Sequence, residues 1–242
     1  MNTSLLYLTD TYLWQSQAKI QAVKQNETGH FIVLDSTIFY PRGGGQEADT
    51  GKIKSVATGR EVEVVGVRFT DGQVLHYVER SVGFSTGEEV TLQLDGGSRL
   101  VNAANHTAGH LICGLITHHY PQVRPMKGYH FSNGPYVEFL LDAQQDVAPI
   151  SMERLQAVVD VAIASDLSVK AEEVSYAVLQ NACSFIPSEL PKDKPLRIVT
   201  IDGLEPLPCG GTHLSHLNEL KAVTIRKIKS SRGVTRVSYL TG

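Results

Sequence analysis

Residues 98–120 read SRLVNAANHTAGHLICGLITHHY, with apolar residues at 100, 104, 108, 111, 112, 115 and 116. Steps of three and four put these on one face of an α-helix, and Ser98 is placed to cap its N-terminus. Upstream the chain is different in kind. HFIVLDS, GKIKSVA, REVEVVGVRF, QVLHYVE and EEVTLQLD are short, rich in Val, Ile and Thr, and separated by turn residues. TDGQ at 70–73 sets Asp-Gly between two of them, a hairpin signal. Closely spaced strands without helices predict a small β-barrel, and DGGS at 95–98 marks its end. Downstream, PYVEFLLD, SVKAEEVS, LRIVTID, AVTIRKIKS and VTRVSYL read as strands, and SMERLQAVVDVAIASD reads as a second amphipathic helix. The expected fold is therefore α+β: a β-barrel over residues 1–95, then a two-layer α/β sandwich over residues 96–242.

No run of about 18 apolar residues occurs, so no membrane span is expected. The start, MNTSLLYLTDTYLWQ, lacks the basic opening of a secretory signal. Cys113, Cys183 and Cys209 are an odd, sparse set without a C-x-x-C pair, which predicts free thiols and a reducing cytoplasm. A formal charge of −3 argues against wholesale coating of nucleic acid and leaves room for a local basic face.

The long helix carries HTAGH, so His106 and His110 lie one turn apart on one face. PCGGTH, residues 208–213, sets Cys209 four residues ahead of His213. Gly210 and Gly211 between them admit φ > 0 and would let the backbone fold tightly under an ion. Either pair alone is a weak signal. Together they offer three imidazoles and a thiolate, a tetrahedral set for one Zn2+ per chain. Cys113, three residues past His110, reads as a core filler, and His216 as a solvated residue. His118 and His119 suit the negative end of a helix dipole. A metalloprotease helix reads H-E-x-x-H, and Thr107 stands where that glutamate would be, so peptide hydrolysis is disfavoured. Purely structural zinc sites are usually richer in cysteine. The set better suits an ion that meets substrate or water in a reaction needing little side-chain proton transfer, such as hydrolysis of an activated ester.

HTAGHL together with PCGGTHL resembles the paired H-x-x-x-H and C-x-x-x-H motifs of the alanyl-tRNA synthetase editing domain and of its free-standing relatives, the AlaX trans-editing proteins. SRLVNAANHTAGHL, KGYHFSNGPYVEF and RKIKSSRGVTRVSYLTG extend the likeness. PRGGGQEADTG is similar to the glycine-rich motif of the longer AlaX class, which carries an N-terminal barrel. The metal motifs also occur in a class of threonyl-tRNA synthetase editing domains, and the barrel with GGGQ tilts the reading to alanine. The resemblance implies a zinc-dependent deacylase of mischarged alanine tRNA, chiefly Ser-tRNA(Ala), with Gly-tRNA(Ala) as a second substrate. No stretch resembles an ATP-binding aminoacylation domain, so a stand-alone editor working without ATP is implied.

The family's zinc ligands carry over to His106, His110, Cys209 and His213. Position 109 departs from it, being glycine where the synthetase domain often has a bulkier residue. Thr107 either reads the serine hydroxyl or bonds a carbonyl of its own helix. Gly43, Gly44 and Gly45 form either an ordinary barrel turn or a loop beside the aminoacylated 3′ end, with Gln46 donating bonds. Arg226, Lys227, Lys229, Arg232 and Arg236 line either a solvated strand or a set of tRNA phosphate contacts. Editing of a threonine tRNA, or a zinc-stabilised RNA-binding module without catalysis, are the alternative functions.

Overall fold

The computed structural model describes residues 3–80, 83–141, 150–187, 190 and 195–242. The chain forms two compact units, Met1–Val101 and Asn102–Gly242. In the first, β1 (Ser4–Leu5), β2 (Gln15–Asn26), β3 (Gly29–Leu34), β4 (Ser36–Thr37), β5 (Gly51–Ser55), β6 (Glu61–Thr70), β7 (Gln73–Val78) and β8 (Glu89–Leu94) follow one another without an intervening α-helix. Six of them close a barrel in the order β2-β3-β7-β6-β5-β8, while β1 and β4 pair in parallel. The TDGQ hairpin forms as expected: Thr70 pairs with Gln73, and Asp71 and Gly72 both take positive φ, 50° and 76°. That is the twist-matched two-residue turn. The longest barrel strand, β2, has no counterpart among the strands read from the sequence. Within QSQAKIQAVKQN only Ala18 and Ile20 are buried, so its apolar signal is too thin to read.

The long helix, α1 (Gly96–His119), begins two residues ahead of Ser98. Asp95, not Ser98, does the capping: its Oδ1 accepts from the Ser98 amide at 3.2 Å, and the Ser98 hydroxyl donates to Oδ2 at 2.7 Å. The first turn also faces differently from the apolar pattern, with Leu100 38% exposed and Arg99 0% exposed. Arg99 is buried because every polar edge of its guanidinium is met within the first unit. Nε and Nη2 bond the Asp49 carboxylate, Nη1 donates to the Thr11 carbonyl at 2.9 Å, and Nη2 donates to the Ile38 carbonyl. This ties the start of α1 to the barrel, and the division between the two compact units falls at 101/102.

The second unit adds β9 (Val123–Tyr129), β10 (Tyr136–Leu141), α2 (Met152–Ala164), β11 (Val169–Val174), α3 (Tyr176–Ala182), β12 (Leu196–Ile201), β13 (Leu207–Pro208), β14 (Val223–Ser231) and β15 (Val234–Thr241). Ser151 caps α2 by accepting from the Arg154 amide. One sheet runs β14-β15-β10-β9 and a second β11-β12-β13. Pro125 inside β9 is tolerated because β9 is an edge strand and bulges opposite Glu138/Phe139. Ala108, Leu111, Ile112 and Ile116 of α1 and Leu155 and Val159 of α2 share one core with Val137, Phe139, Val237 and Tyr239 of the four-stranded sheet. Cys113 belongs to that core, and burial lifts its thiol to about 12. All three cysteines are free. No helix among the described residues is long and apolar enough to cross a membrane.

Candidate metal centre

The four donors meet within the second unit. Helix α1 presents His106 and His110 one turn apart, with ring centroids 5.1 Å from each other. Cys209 and His213 arrive on the loop after β13, and the His213 ring lies 4.4 Å from both of the others. The four candidate ligand atoms all fall within 4.8 Å of one another. Bonds of about 2.3 Å to sulfur and about 2.1 Å to nitrogen at a tetrahedral angle put sulfur and nitrogen about 3.5 Å apart. Cys209 Sγ lies 3.4 Å from His106 Nε2 and 3.3 Å from His213 Nε2. The donor set fits a metal ion. Burial first, and neighbouring imidazoles and Arg197 next, hold His106 and His213 well below the usual histidine range, and burial takes His110 to about 3. The rings therefore stay neutral, with lone pairs available to a cation. Burial raises the Cys209 thiol, opposed by the Gly211 amide and Arg197; a coordinating ion would remove that proton outright.

The loop is held by a residue that motif reading passed over. Arg197 Nη1 donates to the Cys209 and Gly211 carbonyls, each at 2.9 Å, while the Cys209 amide donates back to the Arg197 carbonyl at 3.0 Å. The Gly211 amide donates to Cys209 Sγ at 3.2 Å. Neither Gly210 nor Gly211 takes a positive φ, contrary to expectation, because Arg197 fixes the turn in ordinary backbone. A Cβ on Gly210 would meet nothing outside its chain neighbours within 4 Å, so packing alone does not demand glycine there. The hint in the sequence was an arginine between Leu196 and Ile198, the one charged residue of its strand.

Thr107 is 0% exposed. Its Oγ1 lies 3.3 Å from His213 Nδ1 and accepts from the Leu214 amide at 3.0 Å. Were His213 Nε2 to hold an ion, Nδ1 would carry the proton and donate to this oxygen, the usual way an outer hydroxyl orients a ligating imidazole. A bond to a carbonyl of its own helix is not among these partners.

A further histidine lies against the cluster. The His130 ring stacks on His106, centroids 4.4 Å apart and planes 22° apart. The Tyr239 hydroxyl donates to the Asn105 carbonyl at 2.8 Å, so it accepts from His130 Nδ1 at 2.7 Å. This chain explains glycine at position 109: a Cβ there would sit 2.3 Å from His130 Cε1 and 2.8 Å from the Tyr239 hydroxyl. Gly128 clears the other side, where a Cβ would sit 2.3 Å from His130 Nε2. A lone histidine in KGYHFSN has no spacing signal, so the residues alone did not single it out.

The other expected site residues lie elsewhere. Gly43 and Gln46 exchange backbone hydrogen bonds of 3.2 and 2.8 Å around Gly44 and Gly45, whose φ values of 53° and 76° favour glycine. The Tyr40 hydroxyl pins this turn through the Gly43 carbonyl at 2.9 Å, and Gln46 is fully buried. Arg226 and Lys229 are exposed on β14. Arg236 is not free for phosphate: Nε and Nη2 donate to Glu138 Oε1 at 2.8 and 2.6 Å, and its guanidinium lies 3.9 Å over the Tyr136 ring. His216 is half exposed and caps the 3-10 turn Leu217–Leu220.

Over 254 aligned residues the chain is 30% identical to the alanyl-tRNA editing protein AlaX-M of Methanosarcina barkeri, covering 99% of this chain and 98% of that one. The chain belongs to the AlaX family of alanyl-tRNA editing proteins. Within that family it is also 30% identical to AlaX-L of Pyrococcus horikoshii, across 57% of the latter's length. The alanine--tRNA ligase of Caldivirga maquilingensis is 30% identical as well, but the AlaX chain spans only 27% of it. Residues 7–97 match the family of tRNA synthetases class II (A), and residues 196–238 the threonyl and alanyl tRNA synthetase second additional domain.

Proposed function

We propose that the protein is a stand-alone hydrolase that clears alanine tRNA of wrongly attached amino acid, chiefly serine and also glycine, at one zinc ion held by His106, His110, Cys209 and His213. The observation that carries this reading is the convergence of three neutral imidazoles and one thiol in a chain of the AlaX family. When bound, the ion supplies a Lewis acid for the ester carbonyl or the attacking water. The chain's own residues do the positioning. Thr107 orients His213, and Arg197 holds the loop that carries Cys209. The cluster contains no carboxylate, which suits an activated ester better than a peptide bond. The turn at Gly43, Gly44, Gly45 and Gln46 is assigned to the neighbourhood of the 3′ end, and Arg226 and Lys229 to phosphates.

The chemistry has a reason to exist. A pocket shaped for alanine rejects glycine or serine weakly, because one methyl or hydroxyl changes binding little, and a second hydrolytic site restores the discrimination. Serine, glycine, threonine and alanine esters on alanine and threonine tRNAs, assayed together, test the reading. Serine should be released from alanine tRNA fastest and alanine spared. Equal hydrolysis of Ala-tRNA(Ala), or faster release from threonine tRNA, would overturn it. Elemental analysis should give about one zinc per chain, and full retention in a Cys209→Ala, His213→Ala double variant would remove the assigned ligands.

A further inference from the structure

The four-stranded sheet has two unlike faces. The inner one packs Val137, Phe139, Val237 and Tyr239 against the helices. On the outer one, register sets Lys127, Glu138, Arg236 and Lys229 in a single row across all four strands. Directly paired residues share a face, so Tyr129, Tyr136 and Lys227 fall in the next row, and Arg124 in the row opposite Leu140. Among the described residues five cations thus share this face with one carboxylate, in a chain of formal charge −3. Glu138 is spent on Arg236, whose guanidinium lies over Tyr136, which stacks on Tyr129 at 5.1 Å and 13°. Arg236 is thereby fixed and neutralised. Arg124, Lys127, Lys227 and Lys229 make no ion pair among the described residues and are exposed.

We infer that this outer face docks the duplex part of the tRNA, with Arg124, Lys127, Lys227 and Lys229 on phosphates and Arg236 as part of a rigid aromatic prop. Charge on β9 and β14, the two edge strands, also deters strand-to-strand aggregation. That purpose is served by either sign, however, and all four unpaired charges here are positive. The face also leads toward the chemistry: Tyr129 is followed in the chain by His130, which stacks on His106. A single-stranded 3′ end turning round the β9 edge at Tyr129 would come to the metal centre. The inference rests on the proposed editing function and adds the surface that function uses.

The test measures binding of uncharged alanine tRNA against salt for the whole protein. The variants are an Arg124→Gln, Lys127→Gln pair, a Lys227→Gln, Lys229→Gln pair and, as control, Arg154→Gln on α2, which covers the sheet's other face. Each pair should weaken binding roughly tenfold and flatten the log–log salt slope by about 1.8, some 0.9 per phosphate contact. Arg154→Gln should change neither, and zinc content should stay constant throughout. Unchanged slopes for both pairs, or an equal loss from Arg154→Gln, would overturn the docking face. Failure of the two readings is separable. Wild-type protein that binds tRNA with the expected slopes but releases no amino acid refutes the editing function alone. Serine release by protein whose variants bind like wild type refutes the docking face alone.

Discussion

Each unit buries a threonine against a histidine, and the two pairs are put to different use. In the barrel, His76 is 0% exposed with Nε2 2.7 Å from the Thr37 hydroxyl and Nδ1 2.9 Å from the Ile32 carbonyl. Both nitrogens are engaged by oxygens of the barrel itself, and the ring fills the interior. In the second unit, Thr107 takes only the far nitrogen of His213, and the near one faces the Cys209 sulfur. Desolvation acts alike on both: burial takes His76 to about 4 and, first among its causes, holds His213 well below the usual histidine range. What differs is where the lone pairs point. A buried histidine bonded on both sides is structure, whereas several turned toward one sulfur make a place for a cation.

If the barrel's buried polar groups serve stability alone, disturbing them should leave metal binding intact. The largest effect is expected from Arg99→Met, which strands the buried Asp49 carboxylate and should cost about 3–5 kcal/mol. Urea titration followed by barrel-strand amide exchange checks this, and zinc lost from still-folded protein would break the contrast. Next comes acid. His76 has an unfolded value near 6.5 and a folded value of about 4, so the unfolded chain binds more protons between them. Its contribution is complete above pH 6.5, is lost as pH falls, and is gone near pH 4, about 3 kcal/mol in all. The pH dependence of barrel unfolding should flatten over that window in His76→Gln. The smallest effect separates the two threonines. Thr37→Val and Thr107→Val should each cost roughly 1–3 kcal/mol of stability. Only Thr107→Val should also weaken metal affinity, by about 10–100-fold, as read by competition with a chromogenic chelator. Equal zinc affinity in the two variants would return Thr107 to a purely structural role.

The barrel and the metal donors were legible because their signals are local. Val-rich alternation, Asp-Gly at a turn, and histidines four apart need no knowledge of the rest of the chain. What escaped depends on tertiary partners. Half of strand β2 is Gln and Lys, and it is held by its neighbours on both sides rather than by a wide apolar face of its own. β9 carries a proline that argues against a strand until its edge position is known. Arg99 took the inward place offered to Leu100 because the Asp49 carboxylate and two carbonyls wait for it far away in sequence. Arg197 acts on the candidate centre through hydrogen bonds to the Cys209 loop, His130 by stacking on His106 and Tyr239 through His130, and no spacing rule reports such contacts. The glycine at 109 was visible as a departure from the family; its cause, the His130 ring, was not.

Strand β13 has only two residues, paired as Ile198 with Pro208 and Val199 with Leu207. So short a ladder specifies its alignment weakly, and a slip of two residues would keep the same faces while moving the chain by roughly 7 Å. Cys209 would then lie beyond reach of His106, and Arg197 would lose both carbonyls it now holds. An ion held by the four donors would thus be captured in the native alignment, and its binding energy would be withheld from a chain slipped in this way. Such an ion would proofread the protein's own folding as well as serve the reaction.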